Sequence, residues 1–136
     1  MAISQRLNLL GILTLFLSLL LSSCSEKYSS SDPAKFNEAI SARTDFETVQ
    51  DLLLVYYDYP ENEGVPNLTL ESSDLGAGVF RGTLIHDQMQ DDSQRALKIV
   101  MEAKKEEGHW KVISIRKARK CYPSRGHTNW GTRWCS

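Results

Sequence analysis

The sequence lacks the short motifs that mark the common catalytic and nucleotide-binding sites. It contains no Gly-x-Ser-x-Gly turn, no His-Glu-x-x-His helix and no phosphate-binding Gly-Lys-Ser/Thr loop. It also has little surplus charge, because 16 basic and 17 acidic side chains leave a formal net charge of −1. A chain without a general basic excess has no overall attraction for nucleic acid, so we expect no nucleic-acid partner.

Histidine and cysteine are scarce, and their spacing excludes the usual metal sites. His86, His109 and His127 lie far apart, and none stands at metal-ligand spacing from another histidine or a cysteine. The sequence therefore predicts no metal, no cofactor and no catalytic residue. One acidic pair, Asp91 and Asp92, is explained more simply as a turn than as a weak calcium site.

The long hydrophobic run of the sequence lies near its N-terminus. Arg6 precedes an apolar stretch of about 15 residues, and small residues follow it. This is the pattern of a secretory signal, and the run is short for a membrane-spanning helix, which needs roughly 20 residues. We expect residues 1–23 to be a signal peptide that is removed. An ordinary secreted protein and a retained anchor helix are the alternatives.

The end of this leader, Leu21-Ser22-Ser23-Cys24, resembles the lipobox of bacterial lipoproteins at all four positions. The resemblance implies that the Cys24 thiol is diacylglycerated, that the chain is cut just before it and that the new amino terminus is acylated. Two or three acyl chains hold a protein firmly to a bilayer. The implied location is the bacterial cell envelope, with the membrane as partner. The residue after the cysteine is Ser25 and not an aspartate, and the sorting rule of the lipoprotein family then implies the outer membrane in a host with two membranes.

The rest of the chain divides into a linker and one small domain. Residues 24–33 are polar and rich in serine, which is typical of a flexible tether. Residues 34–120 are sufficient for one domain with a single core. Residues 121–136 form a tail that we assign to the same domain.

The helical signals come first in this domain. Pro33 suits the first position of a short helix. Thr44 and Glu47 have the spacing of a capping box, and apolar side chains at helical spacing follow. We therefore predict an amphipathic helix over residues 45–58.

Strand signals follow the helix. Alternating apolar positions predict strands over residues 79–87, 97–104 and 110–117, with a shorter strand around Leu68 and Leu70. The order predicts an α+β fold, in which the N-terminal helix packs on an antiparallel meander of three to four strands. This order resembles the cystatin-like and nuclear-transport-factor-like folds, which host many functions.

The tail contains the two remaining cysteines. If Cys24 carries lipid, Cys121 and Cys135 are an even pair in an exported chain, which favours one disulfide, with two free thiols as the alternative. A bridge around a loop of about 15 residues contributes roughly 3 kcal/mol. The tail resembles that of bacterial exported proteins without an assigned activity, so the resemblance implies no chemistry.

The closed loop is rich in side chains suited to ligand binding. In a functional interpretation, Tyr122, Trp130 and Trp134 offer flat faces to a sugar or apolar ligand, while Arg125 and His127 add polar contacts. In a structural interpretation, the tryptophans cover the sheet, Arg125 and Arg133 stack on them and His127 binds a backbone carbonyl.

These features favour a membrane-anchored envelope lipoprotein with a small binding or structural interaction domain, whose partner would be an envelope protein or a glycan. A small envelope enzyme is the alternative, with a pocket between helix and sheet and with Tyr56, Tyr57, His86 or His109 as its candidates. An immunity or inhibitor role is a third possibility that no residue selects. The basic run over residues 116–120 suits either an anionic surface or an exposed strand end.

Overall fold

An antiparallel sheet of five strands and two helices make up an α+β fold in the computed structural model, which describes residues 27–58 and 67–136. The predicted signal peptide and the lipobox cysteine, Cys24, lie outside the described residues. Within them, neither helix has the length and apolar character needed to cross a membrane. The elements in chain order are β1 (Ser29–Ser31), α1 (Ala34–Ile40), α2 (Val49–Tyr57), β2 (Asn67–Gly76), β3 (Val79–Asp87), β4 (Gln94–Glu106) and β5 (His109–Cys121).

The sheet has the order β1-β5-β4-β3-β2, and all neighbouring strands are antiparallel. Strands β2 to β5 form a simple meander, and the short β1 pairs with the outer edge of β5. Ser29 lies opposite Lys117, and Ser31 lies opposite Ile115. This part of the predicted tether is therefore a strand. Its sequence gives no signal, because three serines have no apolar alternation.

The helices cover one face of the sheet, and the core lies between them. From α2, the side chains of Val49, Leu52 and Leu53 are buried. The sheet adds apolar side chains from alternate positions of β3, β4 and β5, chiefly Leu84, Ile99, Met101 and Ile115. The other face of the sheet carries no helix among the described residues, and we call it the open face.

The helix prediction is wrong about where α2 begins. The N-cap is Thr48, whose Oγ1 accepts a hydrogen bond from Asp51 N (3.3 Å), while Asp51 Oδ2 accepts from Thr48 N (2.7 Å). The predicted cap, Thr44, is exposed and lies outside the helix. Packing explains the difference, since Phe46 is buried and its carbonyl accepts a hydrogen bond from Trp110 Nε1 (3.0 Å). These contacts keep residues 44–47 out of the helix.

Strands β4 and β5 are longer than predicted, with 13 residues each. A register shift places Val112 opposite Ala103 and Ser114 opposite Glu102, so Ile113 is a bulge residue that is 50% exposed. The bulge turns both Val112 and Ile115 towards the core, although they lie three residues apart.

The outer edge of β5 is covered by three different segments. The side chain of Asn37, in α1, donates to the Val112 carbonyl (2.9 Å) and accepts from Val112 N (2.8 Å). Strand β1 follows along the edge. Beyond it, Arg119 and Gly131 exchange two backbone hydrogen bonds of 2.9 and 3.0 Å. This last contact attaches the C-terminal tail to the sheet. It also pairs backbone groups of β5 that an uncovered edge would leave without partners.

Candidate functional site

The C-terminal tail begins where β5 ends and is closed by the disulfide between Cys121 and Cys135. Their Cα atoms lie 5.5 Å apart, and Cys121 is buried, so the predicted bridge is confirmed. Gly126 lies against the bridge with a φ of 144°, and a Cβ at this position would lie 2.8 Å from Cys121 Sγ. A glycine is therefore required for the loop to fold over the disulfide.

His127 fastens the loop to itself. Its Nδ1 lies 2.8 Å from the Asn129 carbonyl oxygen, and its Nε2 lies 3.0 Å from the Arg133 carbonyl oxygen. The His127 carbonyl in turn accepts a hydrogen bond from Cys121 N (2.9 Å). Both ring nitrogens lie within hydrogen-bond distance of a backbone carbonyl, which gives this side chain a positioning role in the loop.

Tyr122 and Arg125 are also held by the backbone. The Tyr122 hydroxyl donates to the Met89 carbonyl (3.1 Å), which ties the tail to the connection between β3 and β4. The carbonyl of the exposed Arg125 accepts from Ser136 N (2.8 Å), so the end of the chain folds back onto the loop. The tail is therefore fixed at both ends and in its middle.

Trp130 lies on the open face between two lysines. The Lys98 Nζ is 4.4 Å and the Lys120 Nζ is 4.6 Å from the centre of its ring. Lys98 lies opposite Ala118 and Lys120 lies opposite Ala96, so both lysines project from the open face of β4 and β5. Ammonium groups favour the electron-rich face of an indole, and Trp130 is only partly exposed as a result.

Trp134 projects from the other side of β5. The Arg119 guanidinium lies 3.6 Å from the centre of its ring, and Arg119 shares the helix-covered face with Leu97. The Arg119 side chain is buried, which lowers the pKa of its guanidinium from the ordinary value. Its Nη1 has no hydrogen-bond partner among the described residues. One face of Trp134 therefore stacks on a fixed cation, while the side chain remains 81% exposed.

A half-open pocket of about 320 Å³ lies between the tail and the segment before β1. Its lining residues are Lys27, His127, Trp130, Gly131, Thr132 and Arg133. The structure thus brings together two of the five predicted ligand-binding residues, His127 and Trp130. Tyr122, Arg125 and Trp134 do not line this pocket. We call it the tail pocket.

The sequence interpretation missed Lys27. It named Arg133 only as a residue that stacks on a tryptophan, and Arg119 only as part of the basic run over residues 116–120. A signal was present in the distribution of charge, because the chain contains seven Lys or Arg and no Asp or Glu from Gly108 to Ser136. All 17 acidic side chains precede Gly108. The near-zero net charge of the whole chain hides this asymmetry. The tail and the neighbouring part of β5 form a basic region.

Of the alternative candidates, Tyr56 and Tyr57 lie at the C-terminal end of α2, and His86 lies in β3. Tyr57 Oη is 2.6 Å from His86 Nδ1, and His86 is only 4% exposed. Tyr56 instead packs edge-on against Phe36, with ring centres 5.2 Å apart. His109 is exposed in the hairpin between β4 and β5. The structure therefore joins two of the four proposed enzyme residues, Tyr57 and His86.

A cavity of about 250 Å³ between helix and sheet lies at the opposite, N-terminal end of α2. Its lining includes Thr48, Phe80 and Trp110 but neither Tyr57 nor His86. The Lys105 ammonium at its mouth donates to the Glu47 carbonyl (3.1 Å). This cavity is separate from the Tyr57–His86 pair.

Across residues 27–58 and 67–136, no three His, Cys, Asp or Glu side chains are grouped closely enough to hold a metal ion. Asp91 stabilises a turn, since its Oδ1 accepts from Gln94 N (2.6 Å) and from Ser93 N (2.8 Å).

No family model matches the chain, and no curated protein or solved structure matches it either.

Proposed function

We propose that the protein is a lipid-anchored envelope lipoprotein whose small domain binds a partner through its C-terminal tail and the adjoining open face. The observation that supports binding most directly is Trp134, which is 81% exposed. Cys135 is in the disulfide, and Arg119 stacks on the ring. An exposed tryptophan that stacks on an arginine and stands next to a disulfide is typical of an interaction hot spot, because the bridged backbone loses little conformational entropy when the ring is covered.

The lipid anchor is proposed from the lipobox sequence, with Cys24 as the acylated residue. Its proposed location is the cell envelope, in the outer membrane where the host has two membranes. The order of a helix followed by a four-stranded meander also supports a cystatin-like or nuclear-transport-factor-like shape. That shape supplies no activity by itself.

The anchor is tested with Cys24→Ala, compared with Ser23→Ala, which keeps a small residue before the cysteine. Intact mass of the protein from purified membranes should correspond to residues 24–136 plus acyl chains. The Cys24→Ala variant should have no acyl mass and should be absent from the membranes. The Ser23→Ala variant should have the same acyl mass and membrane attachment as the original chain. An unacylated original chain would reject the lipoprotein proposal.

Partner binding is tested with a photoreactive benzoyl-phenylalanine at position 134. The control places the same amino acid at position 75, because Leu75 is an exposed apolar residue in β2, far from the tail. Irradiation of whole cells should give a specific adduct at position 134 and none at position 75. Equal labelling at both positions, or none at either, would argue against a binding tail.

An enzyme remains the second candidate because of the short Tyr57–His86 contact. A buried histidine with a polar partner is a common element of catalytic sites, although it is also a common element of cores. Tyr57→Phe removes the hydroxyl and keeps the ring. An envelope hydrolase or transferase activity that is lost in Tyr57→Phe but retained in Trp134→Ala would favour the enzyme over the binding domain.

A further inference from the structure

The tail pocket lies close to the place where the lipid would be attached. Lys27 lines this pocket, and it stands three positions after Cys24 in the chain. Three extended residues span at most about 11 Å. Strand β1, which starts at Ser29, is held to β5 directly beside the contact between Arg119 and Gly131. An acylated Cys24 would therefore keep the tail within reach of the bilayer surface.

The charge of this region is complementary to an anionic surface. Arg125, Arg133 and Lys27 are exposed, and no residue of the tail pocket is acidic among those described. The described ion pairs of the sheet join Arg81 and Arg116 to Glu102, Arg95 to Asp87 and Lys104 to Glu106, and none of them includes Lys27, Arg125 or Arg133. Basic side chains within a Debye length of a bilayer are attracted to anionic headgroups.

The exposed aromatic residue fits the same surface. Tryptophan is enriched at the boundary between headgroups and acyl chains, because its ring is largely apolar and its N–H is polar. Trp134 stands next to the disulfide-bonded Cys135, with one face of its ring stacked on Arg119 and the side chain 81% exposed. The exposed Arg133 precedes Trp134 in the chain, so a cation for a headgroup phosphate stands next to an indole for the interface beneath it.

We propose that the tail is a second membrane contact, which docks the domain on the anionic phospholipid headgroups of the membrane that holds its anchor. The inference rests on the proposed lipid anchor and names the partner of the tail. Trp134 enters the interface, while Arg125, Arg133 and Lys27 face the phosphates. The edge of the sheet that carries the tail then faces the bilayer, and the opposite edge, strand β2, faces away from it.

The test uses the lipidated protein, purified in detergent and reconstituted into vesicles that contain brominated phosphatidylcholine with or without phosphatidylglycerol. Bromine quenches the fluorescence of a tryptophan that enters the interface. Quenching should be strong in the anionic vesicles and weak in the zwitterionic ones. Trp134→Phe should remove most of the quenched signal, whereas Trp130→Phe should keep it, because Trp130 is held between Lys98 and Lys120.

A charge-matched pair of variants isolates the electrostatic part. Arg125→Gln with Arg133→Gln removes two charges from the tail, while Lys35→Gln with Lys111→Gln removes two exposed charges outside it. Each cation near an anionic surface changes the ratio of docked to undocked protein about fivefold, so the tail variant should lose most of the quenching. The control variant should retain it, and added salt should weaken docking in the original chain.

The outcomes separate this inference from the proposed function. Protein that stays with the vesicles without quenching, or with equal quenching in both lipid mixtures, would keep the anchor and overturn the docking. Protein that leaves the vesicles and has no acyl mass would overturn the anchor itself. A shift of Trp134 emission on adding polygalacturonate, without any effect of anionic vesicles, would make the partner an acidic glycan and overturn the inference.

Discussion

Single residues fix how closely the helices approach the sheet, and Gly82 is the clearest case. It lies in β3 under α2, where a Cβ atom would be 2.6 Å from Leu53 Cδ1 and 3.1 Å from Val49 Cγ1. The absence of a side chain therefore permits the contact between α2 and the sheet. Sequence alone gave no reason to single out this glycine, because the clash depends on a helix that is distant in the chain.

Gly82→Ala is expected to lower the free energy of unfolding by about 1 to 3 kcal/mol, since one extra methyl group overpacks the core. Chemical denaturation measures the change. Leu53→Ala creates space at the same contact. It should therefore lower the free energy of unfolding by less in the Gly82→Ala background than in the original chain. Additive costs of the two substitutions would show that the clash is relieved elsewhere.

The ionised carboxylate of Asp91 stabilises the turn that precedes β4. Hydrogen bonds from Gln94 N, Ser93 N and Ser93 Oγ hold the pKa of its carboxyl below the ordinary value. A carboxyl with a lowered pKa in the folded state stabilises the fold above its unfolded pKa, near 4. That contribution is lost as the pH falls through the folded pKa.

Asp91→Asn should therefore lower stability at pH 7 by about 0.5 kcal/mol, a small value because the turn is exposed. The difference from the original chain should shrink as the pH falls from about 4 through the folded pKa of Asp91, because the carboxyl becomes protonated there. Unfolding midpoints measured between pH 7 and pH 3 test this, with the neighbouring Asp92→Asn as control. A difference that persists unchanged at low pH would contradict the role of the charge.

Elements depend on signals that are local, and α2 illustrates how such signals compete. Thr44 with Glu47 and Thr48 with Asp51 both have capping-box spacing. The structure uses the second pair, because Phe46 and its carbonyl are held by the core and by Trp110. Sequence thus predicted a helix with an apolar face, but tertiary packing selected its first residue.

Thr48→Ala should lower the free energy of unfolding by about 1 kcal/mol, because the helix loses its cap. Thr44→Ala provides a matched control at the rejected cap and should change stability by less than about 0.5 kcal/mol. Thermal or urea unfolding distinguishes the two. Equal effects of both substitutions would mean that α2 begins at either threonine in solution.

At the scale of the whole molecule, the disulfide determines whether the tail is a defined surface. It closes a segment with a sequence separation of 14 residues and holds both Gly126 and Trp134 in place. Cys121→Ala with Cys135→Ala should lower the free energy of unfolding by about 3 kcal/mol. Calorimetry of the variant measures the loss, and reduction of the original chain should reproduce it.

Cys24→Ala is the control for this prediction, because it removes a thiol without touching the bridge. It should leave the unfolding temperature unchanged. If the double variant also unfolds at the original temperature, the contacts of His127 and Tyr122 suffice to hold the tail, and the bridge is dispensable for stability.

The sequence by itself determined the class of the fold, the central strands and the disulfide. Alternation of apolar residues is a local pattern, and its period reports which residues face a core. The pairing of Cys121 with Cys135 was predicted from the expectation that the chain is exported and that Cys24 carries lipid, which leaves two cysteines. The limits of strand β3, Val79–Asp87, were predicted correctly for the same reason.

Only the tertiary structure decided the rest of the site. Strand β1 is polar, and its pairing with β5 leaves no periodic signal. Trp130 and Trp134 lie on opposite sides of β5 because the loop crosses the sheet edge between them, at Gly131. Lys27 joins His127 in one pocket although 100 residues separate them in the chain. Contacts of this kind arise from chain-distant segments that meet at one edge, and no local property of either segment encodes them.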